Sequence, residues 1–325
     1  MDYLLQLPDS AQHIVVLFVV VVIKLLVSHH SQYTSKHFFY FYCQQLAKKV
    51  NKDSHSINHK KVAGAIATLI TLLPIVAIVW LFEAFIAVPL LWDGVLLFFA
   101  FGPLMLNSVA KKEAEYLSQQ NKYQAKQLLA PYVLRETEQM SPLGLTKATI
   151  EMLLLRKFQQ QLIVGFFFLL LGPLMALSYR MLLEMHYSWN IKRTTYTSFG
   201  RFVNQLIAVL LWLPNRIFLF ALILTSINRS TMLHWRLVKQ HFFRLNNNIV
   251  IGYFAYCLGV QLGGVAIYDQ EKLRRINFNT QARQPEAKHI IYAIKQLNLL
   301  MTLILGVVLS VFIIIAILGP VELPV

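Results

Sequence analysis

Charge is scarce in this chain. Of its 325 residues only 14% are Asp, Glu, Lys or Arg, where an ordinary soluble domain carries about a quarter. Acidic residues are scarcer still: 15 Asp+Glu face 30 Lys+Arg, a formal net charge of +15. Cysteine is almost missing. Cys43 and Cys257 stand far apart and outside any CxxC pattern, which excludes a disulfide framework and a cysteine metal site. There is no Walker A loop, no dinucleotide-binding glycine fingerprint and no nucleophile elbow. The first apolar run has neither a basic segment before it nor a small-residue cleavage site after it, so it reads as a retained helix rather than a signal peptide.

What is plentiful is apolar sequence: 57% hydrophobic residues and a mean hydropathy of +0.54. The fold class expected is all-α, a polytopic helical membrane protein forming a single membrane domain over 1–325. Runs near the roughly 20 residues that cross a bilayer cover Ala11–Ser28, Val62–Leu81, Phe82–Leu106, Leu162–Leu183, Phe202–Ile227 and Leu299–Gly319. A glycine-rich seventh stretch, Ile249–Ile267, reads as interfacial or re-entrant. The excess of Lys and Arg points to anionic lipid and the positive-inside bias rather than to nucleic acid. Six lysines lie in His29–Lys61 and ten Lys or Arg in Asn228–Asn298. A six-helix path puts both segments, with Asn107–Gln161, in the cytoplasm and both termini outside it. Lys192-Arg193 then falls in a short outer loop, as an exception to the rule.

Between Asn107 and Val133 apolar residues recur with helical spacing, and Lys111, Lys112, Glu113 and Glu115 fill the other faces. This predicts a pair of amphipathic cytoplasmic helices broken near Asn121. Ser141-Pro142 marks the start of another helix. His55 and His59 have a metal-like spacing but no acidic third ligand nearby, so a solvated basic loop is the better reading. No metal site is expected from the residues alone. Asp93, inside an apolar run, would pair with Arg216 or Lys24, or sit in a bend. Pro214 and Arg216 fall in the middle of Phe202–Ile227. A central arginine costs roughly 2.5–3.5 kcal/mol on insertion scales, and proline frees a carbonyl one turn earlier. Together they predict a broken helix beside a polar cavity, or else a helix end at WLP with Arg216 snorkelling to an interface.

Four motifs in order resemble the CobD/CbiB family of membrane proteins of cobalamin biosynthesis. LLAPYVLRETEQMSPLGLTKATIEML (Leu128–Leu153) resembles the family's GRDT stretch and the helix after it. LLGPLMALSYRML (Leu170–Leu182) resembles its GGP…YK segment. Phe199-Gly200 with WLPNR (Trp212–Arg216) is similar to FG…N-x-x-PAR, and LGVQLGGVAIYD (Leu258–Asp269) to LGV-x-LGG-x-x-x-Y. The resemblance covers about half the chain. It implies an inner-membrane enzyme that uses ATP and Mg²⁺ to join aminopropanol phosphate to adenosylcobyric acid, a corrinoid, through an amide. Arg135, Glu136, Thr137 and Glu151 would then be catalytic, and Arg180, Pro214, Arg216, Gly263, Gly264 and Tyr268 would bind substrate.

The departures from the family pattern have chemical content. Leu154, Leu155, Arg156 and Gln159 stand where the family has AEN-x-x-D, and LLEM at Leu182–Met185 where it has NTLDSM. Gln205, Leu206, Ile207 and Ala208 replace RLDD. The oxygens that would hold Mg²⁺ are mostly gone, while the cations that would neutralise phosphate persist. A catalytically degenerate member is therefore also consistent with the sequence. So is a non-enzymatic sensory protein resembling AmpE, which shares the WLPNR arrangement and the apolar terminal run. A transporter is disfavoured, since no inverted repeat is visible.

Overall fold

The structure, a computed structural model, describes residues 8–30, 38–226, 236 and 246–318. Both termini and most of 227–245 lie outside the described residues, so the expected placement of the chain ends is not addressed by it. The fold is helical throughout, with four strands of two or three residues. Among the described residues, five helical segments are long and apolar enough to cross a membrane, and four of them, Asp9–Val27, Ile57–Glu83, Arg201–Thr225 and Ala287–Ile317, carry exposed apolar side chains. Val19, Leu26, Ile70, Trp80, Val209, Phe220 and Ile317 are all exposed, as lipid contact requires.

In chain order the helices are α1 (Asp9–His30), α2 (Phe38–Val50), α3 (Ile57–Glu83), α4 (Pro89–Ala100), α5 (Leu106–Ser118), α6 (Lys122–Leu129), α7 (Pro142–Lys157), α8 (Ile163–Ser188), α9 (Arg201–Leu224), α10 (Asn246–Leu258) and α11 (Ala287–Leu318). A π-turn, Phe158–Leu162, joins α7 to α8. Strands β1 (Leu262–Gly263), β2 (Ala266–Tyr268), β3 (Glu271–Leu273) and β4 (Asn277–Phe278) lie between α10 and α11. They pair β1 with β4 and β2 with β3, both antiparallel. Helix α8 is central, packing on α1, α2, α3, α4 and α9.

The local rules hold where they were applied. Asn121 ends one amphipathic helix and caps the next, its side chain accepting from the Gln124 amide. Ser141 caps α7 from the Gly144 amide, with Pro142 in the first turn. On α5, Lys111, Lys112 and Glu115 are exposed as expected. Glu113 is not: it is fully buried, and burial pushes its carboxyl up to about 8.

Three expectations are corrected. The run Phe82–Leu106 yields only α4, of 12 residues, about 18 Å long and too short to span. Pro89 starts it, and it stops before Gly102-Pro103, where the residue ahead of proline is driven out of helical geometry. There the Gly102 amide donates to the Gln160 carbonyl at 2.7 Å.

The second correction concerns where the chain breaks. Pro214 sits within a continuous α9. The break is at Gly172, with φ 82° and ψ 179°, directly before Pro173. That backbone conformation is open essentially to glycine alone. Tyr187 donates to the Gln159 side chain at 2.6 Å, 28 residues away. Tyr179 donates to the Gln159 carbonyl at 3.0 Å, and the Phe167 and Tyr179 rings lie 5.0 Å apart. A straight helix would separate residues 28 apart by roughly 40 Å. The chain therefore doubles back at Gly172-Pro173 as a helical hairpin, because glycine supplies a reversal that proline alone does not.

The third follows from the second. The loop after α8 returns to the side on which α7 and the strands lie, and Arg193 Nε contacts Asp269 Oδ1 at 2.9 Å. Lys192-Arg193 therefore lies beside the strands rather than apart from the other basic segments. Asp93 also pairs differently from both proposed partners, lying 3.7 Å from His13 Nε2 on α1.

Candidate functional site

Where the α7–α8 hairpin, the loop after it and the strands meet, they enclose a cavity of about 770 Å³, within the range of small-molecule sites. Three local devices build it. The first is the π-turn, which carries the buried Gln159, Gln160 and Gln161. Such turns add a residue to a helix and occur often at functional positions. Gln161 is tied to the Pro103 carbonyl at 2.7 Å, and Gln159 to Asn247 at 3.1 Å.

The second device is a buried carboxylate between two guanidiniums. Glu151, on α7, is 2% exposed. Its Oε2 accepts from Arg135 Nη2 at 2.5 Å and Arg275 Nη1 at 2.9 Å. Its Oε1 accepts from the Gly263 amide at 3.0 Å and Arg275 Nη2 at 3.3 Å. A carboxylate offers about four lone-pair sites, and all are used. Glu151 is therefore an anchor for two arginines rather than a free base.

The third device is the strand clasp. Gly263 has φ +80°, and a Cβ there would lie 2.0 Å from the Ile276 carbonyl oxygen. Only glycine brings this amide onto Glu151 while β1 pairs with β4. The Gly264 carbonyl accepts from Arg275 Nε at 3.1 Å. At the tip, Asp269 and Gln270 have φ 45° and 65°, as a tight hairpin turn requires. Glu136 holds that tip through the Gln270 amide at 2.8 Å, and its own amide donates to Ile267.

The lining is mixed: Phe98, Phe99, Phe101 and Leu104 are apolar, and Lys24, Arg135, Arg156, Lys192, Arg193 and Arg275 are cationic. Its carboxylates are Glu151 and Glu184, and Glu184 pairs with Arg180 at 2.5 Å. Lys24 reaches the cavity from α1, donates to the Phe101 carbonyl and lies 4.7 Å from the Phe98 ring. Lys192 has neighbours on most sides, yet its side chain is exposed where it lines the cavity. Burial first, then the positive Arg275 and Arg135, push its ammonium down to about 8, against the pull of Glu151.

Of the residues singled out in the sequence, Arg135, Glu151 and Tyr268 line the cavity. Gly263 and Gly264 support it through Glu151 and Arg275, and Arg180 through Glu184. Glu136 braces the hairpin tip outside it. Thr137 is buried and its carbonyl accepts from the Met140 amide. Pro214 and Arg216 do not line the cavity. Arg216 is buried on α9, donates to the Trp212 carbonyl at 2.6 Å and stacks over the Trp212 ring at 4.3 Å. Sequence reasoning missed Arg275, Lys192 and Glu184. The first two were visible only as charges in a topology count.

Fold and site together define a polytopic helical membrane protein with a cationic, half-apolar cavity at the root of its strand clasp. A family model described as CobD/Cbib protein matches residues 5–297, and the chain belongs to that family. It is similar to the cobalamin biosynthesis protein CobD of Stutzerimonas stutzeri strain A1501, 26% identical over 231 residues, 71% of this chain and 76% of the relative. It is also similar to the protein of that name from Chromobacterium violaceum, 26% identical over 208 residues, 64% of this chain and 67% of the relative. No solved structure gives a significant match.

Proposed function

We propose that this chain acts in cobalamin biosynthesis as a membrane protein whose cavity receives an anionic substrate, and that it joins aminopropanol phosphate to adenosylcobyric acid through an amide. The observation that carries this reading is the pair Arg135 and Arg275, held by Glu151, in a cavity that apolar side chains also line. That arrangement suits a ligand with an extended apolar body and an anionic arm. Amide formation driven by ATP passes through phosphorylated, negatively charged states, and positioned cations lower their energy.

The chain's own residues divide the work. Glu151 positions Arg135 and Arg275, while Lys192 and Arg156 add charge to the lining. Tyr268, on β2, lines the same cavity. Mg²⁺ does not fit the carboxylates present, since Glu151 is saturated by arginine and amide donors and Glu184 is paired with Arg180. No step is assigned to a metal held by the protein.

The relatives favour this branch over an AmpE-like sensory role, because both carry the cobalamin name. The test uses the full chain in lipid nanodiscs with adenosylcobyric acid, aminopropanol phosphate, Mg²⁺ and ATP. Amide product is expected. Its absence, while an authentic family enzyme turns over alongside, would overturn the synthetase reading.

A further inference from the structure

Resting on the reading of this cavity as an anion site, we infer that Lys192, on the loop after α8, is its ligand-contacting cation and takes the phosphate of a phosphate monoester. The reasoning is one of elimination by partner. Arg135 and Arg275 are committed to Glu151, Arg193 to Asp269 and Arg180 to Glu184. Arg156 spends its Nε on the Tyr132 carbonyl, and Lys24 donates to the Phe101 carbonyl. Lys192 has no carboxylate partner among the described residues. Its ammonium lies 5.9 Å from the Tyr268 ring centroid, and its side chain is open to the cavity.

The charge balance around Lys192 points to the ligand class. The charges that act on it are Arg275, Arg135 and Glu151, so with Lys192 itself three positive charges meet one negative and two remain over. A phosphate monoester carries about −1.5 to −2 at neutral pH and matches that surplus, whereas a carboxylate leaves half of it uncompensated. Lysine suits this role as a mobile point charge, while the two arginines are fixed in planar contacts.

The probe is pyridoxal 5′-phosphate, added to the full chain in nanodiscs and followed by borohydride. The lysine amine adds to the aldehyde and water leaves, giving an imine; hydride then reduces the C=N bond to a stable secondary amine, read by peptide mass spectrometry. Lys192 is expected to label on the order of tenfold faster than Lys112 and Lys272, the effect of one charge-assisted hydrogen bond between the probe's phosphate and the cations beside the amine. Inorganic phosphate is expected to protect it, and pyridoxal lacking the phosphate to label it poorly.

Equal labelling by pyridoxal would show a merely reactive amine and overturn the inference. So would labelling no faster than at the surface lysines, or no protection by phosphate. Lys192→Met tests the same residue in turnover. With an active protein, unchanged KM for the phosphate substrate in this variant overturns the inference and leaves the synthetase reading standing. Protected labelling without any amide product does the reverse.

Discussion

At the residue scale the site turns on Glu151. An isolated carboxylate at 2% exposure would be strongly disfavoured in its ionised form, but two guanidiniums and an amide offset that penalty. The reciprocal dependence is the testable part. Removing one side of a buried ion pair typically costs 3–5 kcal/mol, because the remaining charge is left uncompensated. Glu151→Ala strands two arginines at once and is expected to cost at least that much. Glu136→Ala, which removes a single contact at the exposed hairpin tip, is expected to cost about 1 kcal/mol. Thermal unfolding of both variants in nanodiscs compares them. Equal losses would mean that Glu151 does not anchor the arginines as described.

The same residues mark what the sequence could and could not convey. Arg135 and Glu151 were visible because both lie in one short motif block. Arg275 was not, since it lies more than a hundred residues from Glu151 and its role depends on a glycine-built return of the chain. Lys192-Arg193 did carry a signal. It was the one basic pair that an otherwise consistent charge pattern set apart, and the structure brings it against Asp269 of the strand hairpin.

At the element scale, fold and site depend on backbone shapes that periodicity does not encode. Hydropathy located most of the apolar helices correctly but read Leu162–Leu183 as one crossing, because the two apolar arms of α8 on either side of Gly172 read the same as one. Gly172-Pro173 inside LLGPLM was the local sign of reversal, while the Pro214 element drew the attention and proved compatible with an unbroken α9. The strand clasp was legible only as a glycine pair. Its requirement is strict: at Gly263 a side chain meets the Ile276 carbonyl at 2.0 Å with φ at +80°. Backbone strain of that kind alone costs about 1–3 kcal/mol, and the overlap adds to it. Gly263→Ala is therefore expected to separate β1 from β4, pull Arg275 off Glu151 and lower the melting temperature by several degrees. Phosphate protection of Lys192 should disappear with it. A variant that melts like the parent and keeps that protection would show the clasp to be dispensable.

At the scale of the whole molecule, the contacts among α7, the loop after α8 and the strands bring these three segments together, and we expect them to share one aqueous face. Arg193 touches Asp269, Glu136 touches the same hairpin, and Arg135 and Arg275 share Glu151. Groups in direct contact outside the lipid occupy one aqueous face. The positive-inside bias then becomes more consistent than the six-crossing path allowed, since Lys192 and Arg193 join the other basic segments instead of opposing them. This is open to a direct measurement. In a background with Cys43 and Cys257 replaced by serine, single cysteines at the exposed Thr194, Lys272 and Lys112 would be treated in sealed vesicles with a membrane-impermeant maleimide. All three are expected to react from the same side and to be silent from the other. Labelling of Thr194→Cys from the face opposite Lys272→Cys would restore a crossing at Gly172-Pro173. It would also separate Lys192 from the arginines on which the anion site depends.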